Sequence, residues 1–154
     1  MINNKNHQIM ALLQDNSRST TSEIATIVGL SIPAVSERIK KLVDAGYIRH
    51  FTTILDHKKL GFDLTAYITV VSSSSDHYEE VVSCAKESAA VLECHSVTGG
   101  GSHLLKVRVK NSTVLEKLLR DIQLWPGVAR TQTMVVLSTY KEGVKLDLQS
   151  SLEE

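Results

Sequence analysis

An α+β chain of two small domains is expected: an N-terminal winged helix-turn-helix followed by a C-terminal ferredoxin-like domain of order βαββαβ. Three observations predict it. Apolar residues in the first fifty positions recur at helical spacing, punctuated by helix-start and helix-stop residues. From residue 62, β-branched and aromatic stretches alternate with amphipathic ones. Basic residues gather at one end: residues 1–59 hold eight Lys and Arg against five acids, although the 154-residue chain as a whole is neutral.

The first helix is expected at about 6–15, where Ile9, Leu12 and Leu13 share a face. The second opens on Thr20, which with Glu23 three residues later makes a capping box. Ile24, Ile27 and Val28 form its stripe and Gly29 ends it. The third starts from Ser31 as N-cap with Pro33 in its first turn. Val35, Ile39 and Leu42 follow at i, i+4 and i+7, and Gly46 closes it. Tyr47–Asp56 alternates weakly and reads as a short β wing entering a linker, which His57–Gly61 closes with one helical turn.

The second domain is expected as strands at 65–73, 91–98, 103–110 and 128–139, with helices at 76–87 and 113–123. This order is the split βαβ arrangement, an antiparallel sheet of four strands with both helices on one face. The other face needs cover, and a second subunit can supply it. The expected boundaries are 1–50 for the helix-turn-helix, 51–61 for wing strand and linker, and 62–140 for the ferredoxin-like domain. A polar tail, 141–154, is expected to be loose or ordered only in an oligomer.

Composition narrows the function. A hydrophobic fraction of 42% suffices for packed cores. No apolar run reaches the ~20 residues of a membrane helix, and MINNKNHQIM is no signal peptide, so a cytoplasmic protein is expected. Cys84 and Cys94 lack metal or redox spacing and are expected as reduced thiols. The six histidines are scattered, and Cys94 and His95 are neighbours on a strand, so they point to opposite faces. No catalytic dyad, metal site or cofactor is expected, and the chain does not read as an enzyme.

Helix two, a tight turn at Gly29-Leu30 and helix three have helix-turn-helix spacing. Around helix three, Val35, Ile39 and Leu42 fall on one side; Pro33, Ala34, Glu37, Lys40, Lys41 and Asp44 fall on the other. Such a helix can pack inward and enter a major groove outward. Ser31, Ala34, Ser36 and Glu37 in its first turns are candidates for base edges of double-stranded DNA. Arg18, Lys40 and Lys41 are candidates for phosphates. Arg38 lies on the flank, as either a DNA contact or a structural partner. Trihelical units also dock proteins, so the helical wheel alone leaves both roles open.

Four motifs in register then resemble the Lrp/AsnC family, the leucine- and asparagine-responsive regulators. They are Leu30-Ser31 with Val35, Arg38-Ile39, Leu42, Gly46 and Ile48; Leu55-Asp56 with Lys59-Leu60-Gly61; Val91–His95 with Val97-Thr98-Gly99; and Pro126-Gly127-Val128 with Arg130-Thr131 and Thr133. The resemblance covers about 5–140. It implies a sequence-specific DNA-binding transcriptional regulator that dimerises through the ferredoxin-like sheet, often as an octamer of four dimers. It also implies an amino-acid or other small-metabolite effector near the loop between the second and third strands. Effector candidates by this resemblance are Thr98, Gly100, Ser102, His103, Thr131 and Thr133. An architectural protein that wraps DNA without an effector shares the fold and is the alternative.

Two departures from the family pattern stand out. The family often carries Gly-Asp-x-Asp-Tyr/Phe in that loop; this chain has Gly99-Gly100-Gly101-Ser102-His103, without either acid. A bound ammonium therefore has few side-chain acceptors there, and a Gly-rich turn without a ligand is the other reading. The family also commonly has Asp where this chain has Asn6, a residue that also caps helices.

Overall fold

The computed structural model describes residues 3–148. They fall into two compact units: one contains the chain up to Ile54 and again from Lys141, the other Leu55–Tyr140.

The first unit is built on α1 (Asn4–Asp15), α2 (Thr21–Val28) and α3 (Ile32–Asp44). Helix α1 starts two residues before the expected point because Asn3 caps it, its side chain accepting from the Asn6 N–H at 3.0 Å. At α2 the capping box is formed in both directions. The Glu23 N–H donates to Thr20 Oγ1 at 3.2 Å, and the Thr20 N–H donates to Glu23 Oε2 at 2.7 Å. Gly29 ends the helix at φ +66°, a left-handed conformation that glycine adopts without steric cost. Ser31 then caps α3, accepting from the Ala34 N–H at 3.4 Å.

Ile9, Ile24, Ala25, Val28, Val35 and Leu42 close the core of this unit. Ile39 packs at its edge, but Ile27, expected in the stripe of α2, is 66% exposed. Residues 24, 25 and 28 define the buried face, and Ile27 lies on its flank.

The expected wing strand is absent: residues 49–56 carry no strand, since no described segment of this unit offers them a backbone ladder. Asp56–Gly61 does form the expected turn. Asp56 Oδ1 accepts from the Lys58 and Lys59 N–H groups at 3.1 and 3.2 Å, and Phe62 N–H closes on His57 O at 2.8 Å. The tail, expected to be loose, is seated in the first unit as far as Leu148. The side-chain amide of Gln14 donates to Leu146 O at 3.2 Å and accepts from Leu146 N–H at 2.8 Å, and Lys145 pairs with Asp15. Residues 149–154, the rest of that tail, lie outside the described residues.

The second unit runs β1 (Leu64–Ser72), a 3-10 turn (Ser75–His77), α4 (Tyr78–Glu87), β2 (Val91–Ser96), β3 (His103–Val109), α5 (Ser112–Gln123) and β4 (Val128–Val135). The sheet order is β2-β3-β1-β4, antiparallel throughout. Alternation sends Ala66, Ile68 and Val70 with Leu105, Val107 and Val109 to one face. There they meet Val81 and Ala85 of α4 and Leu115, Leu118 and Ile122 of α5. Both helices thus cover one face, as the element order requires. The opposite face presents half-buried Tyr67, Thr69, Leu104 and Lys106. Strand β4 ends four residues before the expected point because β1 begins at Leu64. After Ala66↔Val135 one further bond remains, from Val136 N–H to Thr65 O at 2.9 Å.

Candidate functional site

Helix α3 presents its outer face without a cover. Ser31, Ser36, Glu37, Lys40 and Lys41 are exposed over a sealed inner face of Val35 and Leu42. Glu37 and Lys41 pair at 2.8 Å one turn apart, with side chains 65% and 74% exposed. The hydrogen bond from Lys41, reinforced by its charge, holds the Glu37 carboxyl below the usual carboxylate range. So exposed a pair is weak and opens readily, which leaves a cation and a carboxylate side by side on the outer face of α3.

Ala34 and Arg38 do not share that exposure. Ala34 is half-buried in a hollow lined also by Asn6, Arg38 and Tyr47. The Arg38 guanidinium donates to Asn6 Oδ1 at 2.8 Å and reaches Asn3 Oδ1 at 3.5 Å. Arg38 therefore ties α3 to the start of α1. Arg18 is exposed in the turn between α1 and α2, its N–H bonded to Asn16 Oδ1 at 3.0 Å.

Asn6 is thus no cap: Asn3 is, and Asn6 is the acceptor for Arg38. An Asp there would add charge to that hydrogen bond and sit in a first turn that carries no acid. Asn6→Asp is expected to stabilise the helical unit by roughly 0.5–1.5 kcal/mol at neutral pH. Urea unfolding followed in 50 mM and 500 mM salt checks it: the gain should shrink at high salt. A variant no more stable than the parent at either salt would reject the assignment.

In the second unit, the loop between β2 and β3 folds back on β1. Val97 N–H donates to Ser102 O at 3.0 Å and Ser102 N–H to Val70 O at 2.9 Å. The buried Ser102 Oγ lies 3.2 Å from Val70 O, 2.7 Å from Ser72 Oγ and 3.0 Å from His103 Nδ1. A hydroxyl has one proton, and Val70 O can only accept. Ser102 therefore donates to Val70 O and accepts from the Ser72 hydroxyl and the His103 Nδ1–H, so that whenever the ring is neutral its Nε2 is the acceptor. Burial also pushes the His103 pKa below its ordinary value. Tyr78 packs edge-on against that ring, centroids 4.9 Å apart.

The structure brings Ser102 and His103 together and leaves Thr98 and Gly100 on the exposed loop. It does not bring Thr131 and Thr133 to them. Val70 pairs with His103 on one side and Thr131 on the other, which separates those two by two strand spacings, about 9.5 Å. Beside His103, a cavity of about 450 Å³ is lined by Tyr78, Glu79, Val82, Ser83 and Lys86 of α4 with Ser96. Helical periodicity marks Tyr78 and Val82 only as part of the apolar stripe of this helix, and it leaves Glu79, Ser83 and Lys86 unmarked because it records which residues face the core. Cys94 packs against the core and His95 stands exposed 3.3 Å from Glu93, so the two do point apart. Among the described residues, no cluster of His, Cys, Asp or Glu could hold a metal ion, and no helix is long and apolar enough to cross a membrane.

Known proteins share both units. A winged helix-turn-helix DNA-binding model matches residues 2–49, and the Lrp/AsnC ligand binding domain model matches 65–146. The chain is 36% identical over 142 residues to the HTH-type transcriptional regulator FL11 of Pyrococcus horikoshii, covering 92% of this chain and 93% of that one. It is 32% identical over 145 residues to the leucine-responsive regulatory protein of Klebsiella pneumoniae, covering 92% and 88%. Among solved structures, a Neisseria meningitidis transcriptional regulator in complex with L-Met superposes with a TM-score of 0.93 at 26% identity, covering 98% of this chain and 99% of that one. E. coli AsnC superposes at 0.88 with 25% identity, covering 94% and 98%.

Proposed function

Because this chain belongs to the Lrp/AsnC family of DNA-binding transcriptional regulators, we propose that it reads operator DNA with α3 and is modulated by a small zwitterionic metabolite of the amino-acid class. The observation that carries the first part is the exposed outer face of α3 over its sealed core. Ser31, Ser36 and Glu37 face base edges, and Lys40, Lys41 and Arg18 neutralise phosphates. Arg38 supports them from below by fixing α3 to α1.

The effector seat is the loop from Thr98 to His103 with the cavity beside it. Gly100 contributes its backbone, and Lys86 on α4 offers a cation for a carboxylate. Glu79 supplies the negative charge that the loop lacks. Neutral His103 offers an acceptor, and Ser102 holds that ring in place. Thr131 and Thr133 can join this seat only from a second chain. The N. meningitidis regulator, solved with L-Met, supports the ligand class. The chain works as a dimer through the open face of its sheet, and as an octamer of four such dimers, in the cytoplasm.

The test is binding to genomic fragments with and without a panel of amino acids, with particle mass measured alongside. Lys40→Ala and Lys41→Ala should each weaken binding evenly across sequences and lower the slope of log K against log salt by about one unit. Unchanged slopes in both would remove these lysines from the interface. Equal affinity for all fragments would favour an architectural DNA-wrapping protein.

A further inference from the structure

We infer that residues 141–148 are a second tether on the DNA-binding head, so that the head is held by two spans of chain. This rests on the reading of the first unit as that head. The chain leaves this unit at Ile54 and re-enters it at Lys141. The matched ligand-binding model runs on to residue 146, yet the segment from Lys141 belongs to the helical unit.

Its seat is specific. One side-chain amide, that of Gln14, satisfies both the N–H and the C=O of Leu146, the pattern a neighbouring strand would supply. Lys145 pairs with Asp15, the last residue of α1. Val144, Leu146 and Leu148 line the same groove as Met10, Leu13, Tyr47 and Phe51.

The seat is also weak. Val144 and Leu146 remain 80% and 67% exposed, and the ion pair is exposed on both sides. Contacts this exposed hold the segment because the chain delivers it at high effective concentration. A unit joined to the rest of its chain at two points has fewer conformations open to it than one joined at a single point. The tether therefore matters when two heads must meet two half-sites in phase, about one helical turn apart, and not when one head meets one half-site.

Two measurements on the full-length protein test this. In the first, a zero-length carbodiimide cross-linker is applied to a mixture of unlabelled and 15N-labelled protein, and the Asp15–Lys145 peptide pair is read by mass spectrometry. Cross-links of a single label are expected, several-fold fewer in Gln14→Ala. Mixed-label cross-links would place the tail on a second copy's head, and no cross-link at all would remove the contact; either overturns the inference. In the second, a chain ending at Tyr140 is compared with the parent on DNA with one half-site and with two in phase. Single-site affinity should hold within about twofold, while the two-site advantage falls on the order of tenfold. An undiminished two-site advantage overturns the tether. A parent that binds neither DNA sinks the head assignment instead, and the cross-link result still stands on its own.

Discussion

Gly101→Ala should destabilise the ferredoxin-like unit by roughly 2–4 kcal/mol, while Gly100→Ala one residue earlier should change little. A Cβ on Gly101 would lie 2.3 Å from Thr69 Cγ2 and 2.7 Å from Val70 O. Neither can yield cheaply. Thr69 is in the middle of β1, and Val70 O is the acceptor for both the Ser102 N–H and the Ser102 hydroxyl. Moving the loop outward breaks those bonds and unseats the ring of His103. Gly100 has open space around it and an ordinary φ. Thermal unfolding of the two variants side by side decides the matter. Equal melting temperatures would mean that the loop does not press on β1.

Ile24→Ala should abolish DNA binding while leaving the second unit folded. Ile24 is fully buried in a core of six residues, and a Leu- or Ile-to-Ala change in such a place costs roughly 2–5 kcal/mol. A unit of this size has little stability to lose. The measurement is calorimetry with DNA binding in parallel. The expected record is an early or missing transition for the helical unit, an unshifted transition for the other, and no specific binding. A single transition moving as a whole would show that the two units unfold together.

Much of this molecule was legible in the sequence because its signals are local. Thr20 with Glu23, Gly29, and Ser31 with Pro33 each fix a helix end through bonds within a few residues, and all occur as read. The alternation in Leu64–Ser72 and His103–Val109 likewise reports directly which face is buried. What was misread depends on distant partners. Ile27 is apolar and at helical spacing, but its burial is decided by where α1 and α3 pack. Residues 49–56 have strand composition, but a strand also needs a ladder. Asn6 looks like a cap, and only the fold shows Arg38 arriving from 32 residues away. The polar tail gave no sign of Gln14, 132 residues earlier. At the proposed effector seat, resemblance names the loop residues, whereas Glu79 and Lys86 come from the solvent side of a helix and leave no pattern.

The first unit is discontinuous, and that has a consequence for the order in which the protein is made. Its three helices leave the ribosome first, but the segment that seats against Gln14 and Asp15 comes after the whole of Leu55–Tyr140. At about 5–20 residues per second, the head waits on the order of ten seconds for its last piece. During that interval the groove lined by Met10, Leu13 and Phe51 is open, and the tail that fills it belongs to a chain still being synthesised. The speed of translation through Leu55–Tyr140 therefore sets how long that groove stays open.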